Sequence, residues 1–152
     1  MRTILVAVDF SDVTLKVVKA AIYLAKPFQS KIILMHVSEN PPRIMPMETT
    51  SDAGAAQTDT AEDSYPEAES LKRYRDMVES IGLECLTLQL HGSPIDTILL
   101  EAETARVDLM VLGSHSRGPL YYLFVGSVVD GIIKRAKCPV LVVPLVDFST
   151  KV

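Results

Sequence analysis

This sequence has few cysteines, no excess of basic residues and no long hydrophobic run, and each of these absences excludes a class of protein. Its two cysteines, Cys85 and Cys138, lack the C-x-x-C spacing of a redox pair, so we expect two small, buried side chains in a reducing cytoplasm. The formal net charge of −4 argues against nucleic acid or an anionic membrane as a partner. No apolar run approaches the ~18–20 residues that span a bilayer, and we expect no signal peptide.

Metal-binding and catalytic motifs are absent as well. The sequence has no H-E-x-x-H, paired-cysteine or Asp-rich motif, and His36 and His91 are interpreted as structural because neither has a partner at metal-ligand spacing. No Walker A lysine is present, and no residue stands out as a positioned base or nucleophile. The sequence therefore favours a binding module over an enzyme, and we predict no catalytic residue and no protein metal site.

What the sequence does contain is a regular alternation of two patterns. Its 152 residues, 48% of them hydrophobic, correspond to about one domain, and we expect residues 1–152 to fold as a single unit. Apolar residues at three- and four-residue spacing predict four amphipathic helices. Short apolar runs between them predict buried strands at 4–8, 31–37, 83–90, 107–112 and 139–143.

Local signals mark where several helices begin and end. Ser11 is predicted to cap the first helix, whose apolar stripe includes Leu15. Gly82 is predicted to follow the second helix as its left-handed glycine. Ser93 and Pro94 are predicted to be the cap and the first residue of the third helix.

Five strands that alternate with four helices predict an α/β fold, a single doubly wound parallel sheet with helices on both faces. The simplest strand order is 3-2-1-4-5, in which the connections diverge between the first and fourth strands. In open sheets of this kind the ligand binds in the crevice at that point, outside the carboxyl ends of the strands. The segments that meet there are Ala7-Val8-Asp9 and Leu112-Gly113-Ser114.

One long segment interrupts the alternation after the second strand. Residues 39–66 contain Pro41, Pro42, Pro46 and Pro66 and show little apolar periodicity, so we predict a flexible loop without packed structure. Because the loop follows the carboxyl end of a strand, we expect it to lie near the crevice. Two interpretations stay open, a lid over the ligand and a disordered insert without a role.

A glycine- and serine-rich stretch follows the fourth strand. It reads GSHSRG at 113–118, and Gly126-Ser127 then opens the fourth helix. Glycine lets the backbone approach an oxyanion, and the exposed N–H groups at a helix start carry partial positive charge. A strand, such a turn and a helix start are together typical of a phosphate site.

The spacing of these residues resembles the nucleotide-binding signature of the universal stress protein family. Gly113, two residues, Ser116, nine residues and then Gly126-Ser127 match it, except that Ser116 stands where the family has its second glycine. The stretches ILVAVDFS at 4–11 and CPVLVVP at 138–144 also resemble family landmarks. The resemblance covers nearly the whole chain. It implies an adenine nucleotide α-hydrolase-like fold and a cytoplasmic stress-response or signalling module.

The resemblance also implies a ligand and the residues that bind it. The ligand is an adenine nucleotide, which is AMP, ADP or ATP, and Mg²⁺ could accompany its phosphates. Asp9 is expected to accept hydrogen bonds from the ribose hydroxyls, and the backbone of Val37 is expected to meet the adenine edge. The expected nucleotide-binding residues are Ala7, Val8, Asp9, Val37, Leu112, Gly113, His115, Ser116, Arg117, Gly126, Ser127 and Val128.

Several of these residues have a purely structural interpretation as well. Gly113 could only turn the chain, Ser127 could only cap the fourth helix, and Asp9 could only cap the first. Val37 could be a core valine, and His115 could simply be solvated.

The last strand lies at an edge of the predicted sheet, where an uncovered apolar strand invites pairing. In the resembled family this strand pairs with its two-fold mate, which implies a homodimer joined through Val140, Leu141, Val142 and Val143. The predicted output is a nucleotide-dependent change of conformation or of protein partner. The alternatives are a slow ATP hydrolase and a nucleotide-free dimeric scaffold.

Overall fold

The computed structural model describes residues 1–39, 65–114 and 126–145, and within these ranges it contains five β-strands and four α-helices. The strands are β1 (Thr3–Ala7), β2 (Lys31–Ser38), β3 (Cys85–His91), β4 (Leu109–Ser114) and β5 (Val140–Pro144). The helices are α1 (Thr14–Ala25), α2 (Tyr65–Glu79), α3 (Pro94–Thr104) and α4 (Ser127–Arg135), and a short 3₁₀ turn, Lys26–Phe28, follows α1. Every predicted strand and helix is present, with bounds that differ by a few residues.

The five strands run parallel in the order β3-β2-β1-β4-β5, which confirms the predicted order. At the centre, Leu5 of β1 is in register with Ile33 of β2 and with Met110 of β4. The apolar runs of these strands are continuous because helices cover both faces of the sheet. One face carries α1 and α2, and the other carries α3 and α4.

Two hydrophobic clusters fill the space between the sheet and the helices. Because successive strand residues point to opposite faces, Ile4 and Val6 pack in the cluster with α1 and α2, whereas Leu5 packs in the cluster with α3 and α4. All three side chains are fully buried. This packing fixes each helix relative to the strand ends and so determines where the crevice lies.

The start of α1 differs from the prediction. The helix begins at Thr14, its N-cap residue is Val13, and no side chain caps it. Ser11 instead donates its N–H and its hydroxyl to Asp9 Oδ1, at 3.2 and 2.7 Å, so the predicted Ser11 cap is wrong. Short polar side chains form such local bonds in competition with helix capping. The apolar stripe is also shifted, because Leu15 is 39% exposed whereas Thr14 is buried.

Ser93 and Pro94 are the N-cap and the first residue of α3, as predicted. Gly82 has a positive φ, 82°, but α2 ends at Glu79, so Gly82 lies one residue beyond the predicted C′ position. Helix α2 begins at Tyr65, so the last two residues of the loop predicted over 39–66 are helical. Residues 40–64 of that loop lie outside the described residues. Among the helices of the described ranges, none combines the length and the hydrophobicity needed to span a bilayer.

Both cysteines are free thiols, and each is half-buried rather than fully buried as predicted. Burial is the main cause that raises the pKa of Cys85 to about 12, and the charge of Glu79 adds to it. Burial also raises the pKa of Cys138.

Cys85 should therefore resist alkylation, because the thiolate is the reactive form of cysteine. In the folded protein at pH 8 we expect it to react with iodoacetamide at least about a hundredfold more slowly than in the unfolded chain. Timed alkylation with and without guanidinium, followed by peptide mass spectrometry, measures both rates. Equal rates in the two conditions would contradict the raised pKa.

Candidate functional site

A crevice opens at the carboxyl ends of β1 and β4. It forms because α1, which follows β1, lies on one face of the sheet, whereas α4, which follows β4, lies on the other. The crevice holds a cavity of about 300 Å³, a size within the range of small-molecule sites. Its lining is Ala7, Val8, Asp9, Val13, Thr14, Val17, Met35, Val37, Pro94, Ile98, Leu112, Gly113, Gly126, Ser127, Val128 and Val129.

The structure brings most of the predicted site residues together around this cavity. The nine that line it are Ala7, Val8, Asp9, Val37, Leu112, Gly113, Gly126, Ser127 and Val128. The other three, His115, Ser116 and Arg117, lie outside the described residues.

Sequence reasoning missed Met35 of β2, Val129 of α4 and the lining residues that come from α1 and α3. Val13, Thr14 and Val17 come from the start of α1, and Pro94 and Ile98 come from α3. Pro94 was identifiable, because a helix that follows a parallel strand begins at the edge of the sheet where the crevice lies. The start of α1 has the same signal, because α1 follows β1, but which of its side chains face the cavity depends on how α1 packs against β4.

Asp9 joins the cavity to the start of α1. Its Oδ1 accepts hydrogen bonds from the N–H and hydroxyl of Ser11 and from the hydroxyl of Thr14, the last at 3.3 Å. The side chain is exposed and lines the cavity. Asp9 therefore supports the segment that leads into α1 and places a carboxylate at the crevice. The interpretation that it caps the first helix is wrong, because no side chain caps α1.

Gly113 lies within β4, so the interpretation that it only turns the chain is wrong. A Cβ atom at this position would lie 2.5 Å from Cγ1 of Val13 and 3.1 Å from Cγ2 of Val17. Such distances are far below ordinary carbon contacts. Glycine is therefore needed here because α1 packs directly onto β4, which also brings the first turn of α1 to the cavity.

Gly126 and Ser127 form the start of α4 on the opposite side of the crevice. Gly126 is the N-cap, with φ 94° and ψ 145°, a region that glycine alone adopts without strain. Its carbonyl accepts the N–H of Asp130 at 2.9 Å. Because the cap is Gly126, the interpretation that Ser127 only caps the helix is wrong, and Ser127 is exposed at the first helical position. The first N–H groups of a helix have no intrahelical acceptor and attract anions.

The backbone of Val37 faces the crevice. In β2 the N–H of Lys31 donates to the carbonyl of Arg2, and the carbonyl of Met35 accepts the N–H of Val8. The backbone groups of the odd-numbered residues of β2 therefore face β1. The carbonyl of Ser38 instead accepts the N–H of Gly92 and faces β3. Strand residues two apart direct their backbone groups to the same side. Because β1 ends at Ala7 and β2 continues to Ser38, the N–H and carbonyl of Val37 lie beside the cavity.

The carboxyl groups with lowered pKa values lie outside the cavity lining and brace the fold. A hydrogen bond from Arg135 is the main cause that lowers the pKa of Asp96, and this 2.7 Å contact joins α4 to α3. The backbone N–H groups of Thr3 and Arg2 lower the pKa of Asp108, which links the start of β4 to β1.

Comparison with known proteins gives concordant matches. A family model described as the universal stress protein family matches residues 1–144. The universal stress protein MJ0531 of Methanocaldococcus jannaschii is 33% identical over 143 residues, which are 93% of this chain and 81% of the relative.

Two solved structures share the fold. A universal stress protein in complex with cAMP has a TM-score of 0.70 at 22% identity, over 95% of this chain and 98% of that one. The universal stress protein from Archaeoglobus fulgidus in complex with dAMP has a TM-score of 0.67 at 24% identity, over 93% and 97%.

Proposed function

The chain belongs to the universal stress protein family of stress-response proteins, and on that basis we propose that it binds an adenine nucleotide in the crevice between β1 and β4. The observation that carries this proposal is the cavity at the switch point of the sheet, which is the place where the connections that follow β1 and β4 diverge. Nine residues that were expected to bind nucleotide line this cavity. The solved relatives in complex with cAMP and dAMP support it, because both ligands carry adenine and a phosphate. We propose that binding alters conformation or the choice of partner, and that the protein acts in the cytoplasm.

Adenine would bind at the β2 side of the cavity. Val37 presents one backbone donor and one acceptor there, and the Watson–Crick edge of adenine offers the complementary pair, the N1 acceptor and the N6 amino donor. Guanine offers the reverse pattern, an N1–H donor and an O6 acceptor. It would therefore set its donor against the Val37 N–H and its acceptor against the Val37 carbonyl. Ala7, Val8 and Ile98 supply apolar contacts for the ring. The site therefore favours adenine over guanine.

The ribose and the phosphates would bind toward β4 and α4. The carboxylate of Asp9 can accept hydrogen bonds from the ribose hydroxyls. The first N–H groups of α4 and the hydroxyl of Ser127 can donate to phosphate oxygens. His115, Ser116 and Arg117 remain predicted phosphate contacts, and Mg²⁺ could accompany the phosphates.

We also propose a homodimer joined through β5. The Pro139 carbonyl accepts the N–H of Met110, so the backbones of Val140 and Val142 face away from β4, toward the edge of the sheet. The side chain of Leu141 is 36% exposed on the same strand. An antiparallel copy of β5 would satisfy these edge groups.

The proposal is tested by identifying the ligand that the protein retains. Freshly purified protein is denatured, and the released small molecules are analysed by mass spectrometry, alongside thermal shifts with millimolar AMP, ADP and ATP. We expect an adenine nucleotide or a clear stabilisation by one. Conversion of added ATP to ADP would favour the slow hydrolase, and neither ligand nor stabilisation would favour the nucleotide-free scaffold.

The serine at position 116 predicts which nucleotide is preferred. Its Cβ makes a left-handed backbone cost roughly 1–2 kcal/mol, which weakens contacts to the terminal phosphates, whereas its hydroxyl can donate to the α-phosphate. We expect AMP or ADP to bind more tightly than ATP with negligible hydrolysis, and Ser116→Gly to shift the preference toward ATP. Titration calorimetry measures the dissociation constants. An unaltered protein that binds ATP at least about ten times more tightly than AMP would overturn this account.

A further inference from the structure

We propose that His36 is a positioning residue, which engages the carbonyl of Val8 and thereby leaves the backbone N–H of Val37 open to the crevice. The inference rests on the proposed function, because an open N–H at this place serves a ligand that accepts from it, such as adenine. His36 lies on β2 between Met35 and Val37, both of which line the cavity.

The pairing of β1 with β2 stops one step short of a regular ladder. Val8 still donates its N–H to the carbonyl of Met35, at 2.8 Å. In a regular parallel ladder the carbonyl of Val8 would next accept the N–H of Val37. Among the described residues that bond is not formed. The Val8 carbonyl instead forms a 2.8 Å hydrogen bond with Nδ1 of His36.

Phe10 and Glu67 contact the His36 ring, and Gln89 in turn contacts Glu67. The ring is buried, and the ring of Phe10, whose φ is 58°, lies against it with the centroids 4.6 Å apart. On the α2 side, Glu67 Oε1 lies 3.5 Å from Nε2. From β3, the uncharged Gln89 donates to the other carboxylate oxygen of Glu67 at 2.9 Å.

These contacts assign the hydrogen on the ring. A carbonyl oxygen only accepts, so Nδ1 of His36 carries the hydrogen that bonds to Val8. Glu67 lies on the opposite side of the ring, with Oε1 3.5 Å from Nε2. The Val8 carbonyl therefore bonds to the side chain of residue 36 rather than to a backbone N–H of β2.

Amide exchange of the unaltered, ligand-free protein tests the first part of the proposal without any variant. We expect the Val37 amide to exchange at least about a hundredfold faster than that of Met35, which faces the paired part of β1, and to become protected when AMP is added. A Val37 amide as protected as that of Met35 in the free protein overturns the proposal.

Two substitutions separate positioning from general stability. His36→Asn keeps an amide donor near the place of Nδ1, whereas His36→Leu removes the donor and lets the Val8 carbonyl take the Val37 N–H. We expect the leucine variant to protect the Val37 amide and to lose at least about tenfold in AMP affinity, and the asparagine variant to stay within about threefold of the unaltered protein. Glu67→Gln, which retains the Nδ1 contact, is the matched control and should bind AMP nearly normally.

The outcomes distinguish this inference from the proposed function. Equal losses of affinity in the leucine and asparagine variants, in proportion to their melting temperatures, overturn the positioning role. If the leucine variant does not fold, the exchange comparison in the unaltered protein decides. If no adenine nucleotide binds the unaltered protein, the proposed function fails, whereas fast exchange at Val37 would still support the arrangement of His36.

Discussion

Replacing Gly126 with valine is expected to abolish nucleotide binding while the protein still folds. A Cβ at this position meets no atom of the described residues within 4 Å, so we attribute the expected effect to the backbone. Valine cannot hold φ 94° and ψ 145° without strain, and the first turn of α4 must move. Because the proposed phosphate donors begin at Ser127, we expect the affinity for AMP to fall at least about a hundredfold.

Gly82→Val is the matched control for this experiment. Gly82 also has a positive φ, 82°, and a Cβ there also meets no atom within 4 Å in the part of the chain that the structure describes, but Gly82 follows α2 and does not line the cavity. Gly82→Val should lose roughly 1–2 kcal/mol of stability from the left-handed backbone, and Gly126→Val roughly 1–3 kcal/mol from its glycine-specific backbone region. Titration calorimetry with AMP and thermal unfolding, applied to the unaltered protein and to both variants, separate the loss of binding from the loss of stability. Normal AMP binding by Gly126→Val, or an equal loss of AMP affinity in Gly82→Val, would contradict the proposal that the start of α4 binds the phosphate.

A negative charge at the β5 edge is expected to divide the proposed dimer. In Val142→Asp the carboxylate would replace a partly buried side chain that packs beside the α3 and α4 cluster, on the strand whose edge is proposed to meet its two-fold mate. In the proposed dimer it would lie near its own copy. Like charges that are brought together at an interface cost several kcal/mol. We expect the dissociation constant to rise at least about a hundredfold, so that the variant is a monomer at tens of micromolar.

The opposite edge of the sheet provides the control. Leu86 lies on β3 with its side chain 41% exposed, so Leu86→Asp adds the same charge to an edge strand without touching β5. Sedimentation velocity should show this variant and the unaltered protein as dimers. An unaltered protein that sediments as a monomer at tens of micromolar would refute the proposed assembly.

The sheet and the position of the crevice were predictable because both follow from local patterns. Runs such as 31–37 are apolar without interruption, as expected for central strands covered on both faces. The alternation of strands and helices then limits the order of the strands, and the order fixes the switch point at Asp9 and Gly113. The cavity contains both residues.

Some details that escaped prediction depend on a choice between local hydrogen bonds, and others depend on contacts between residues far apart in the sequence. Ser11 has the sequence pattern of a helix cap, but its hydrogen bonds go to Asp9, and α1 begins later. The glycine at 113 suggested a phosphate contact, and the structure adds that α1 packs directly against it through Val13. His36 was interpreted as structural, which agrees with its burial, but its bond to the Val8 carbonyl has no sequence signature.

The central claim, an adenine-specific site at the switch point, is tested most directly by titration calorimetry. Nucleotide-free protein is titrated with AMP, ADP, ATP and, for comparison, GMP. The account predicts one site per chain for AMP and ADP, weaker binding of ATP, and no binding of GMP at the same concentrations, because guanine reverses the hydrogen-bond pattern that Val37 offers. Absence of heat with all three adenine nucleotides at millimolar concentration, or equal affinity for GMP and AMP, would contradict it.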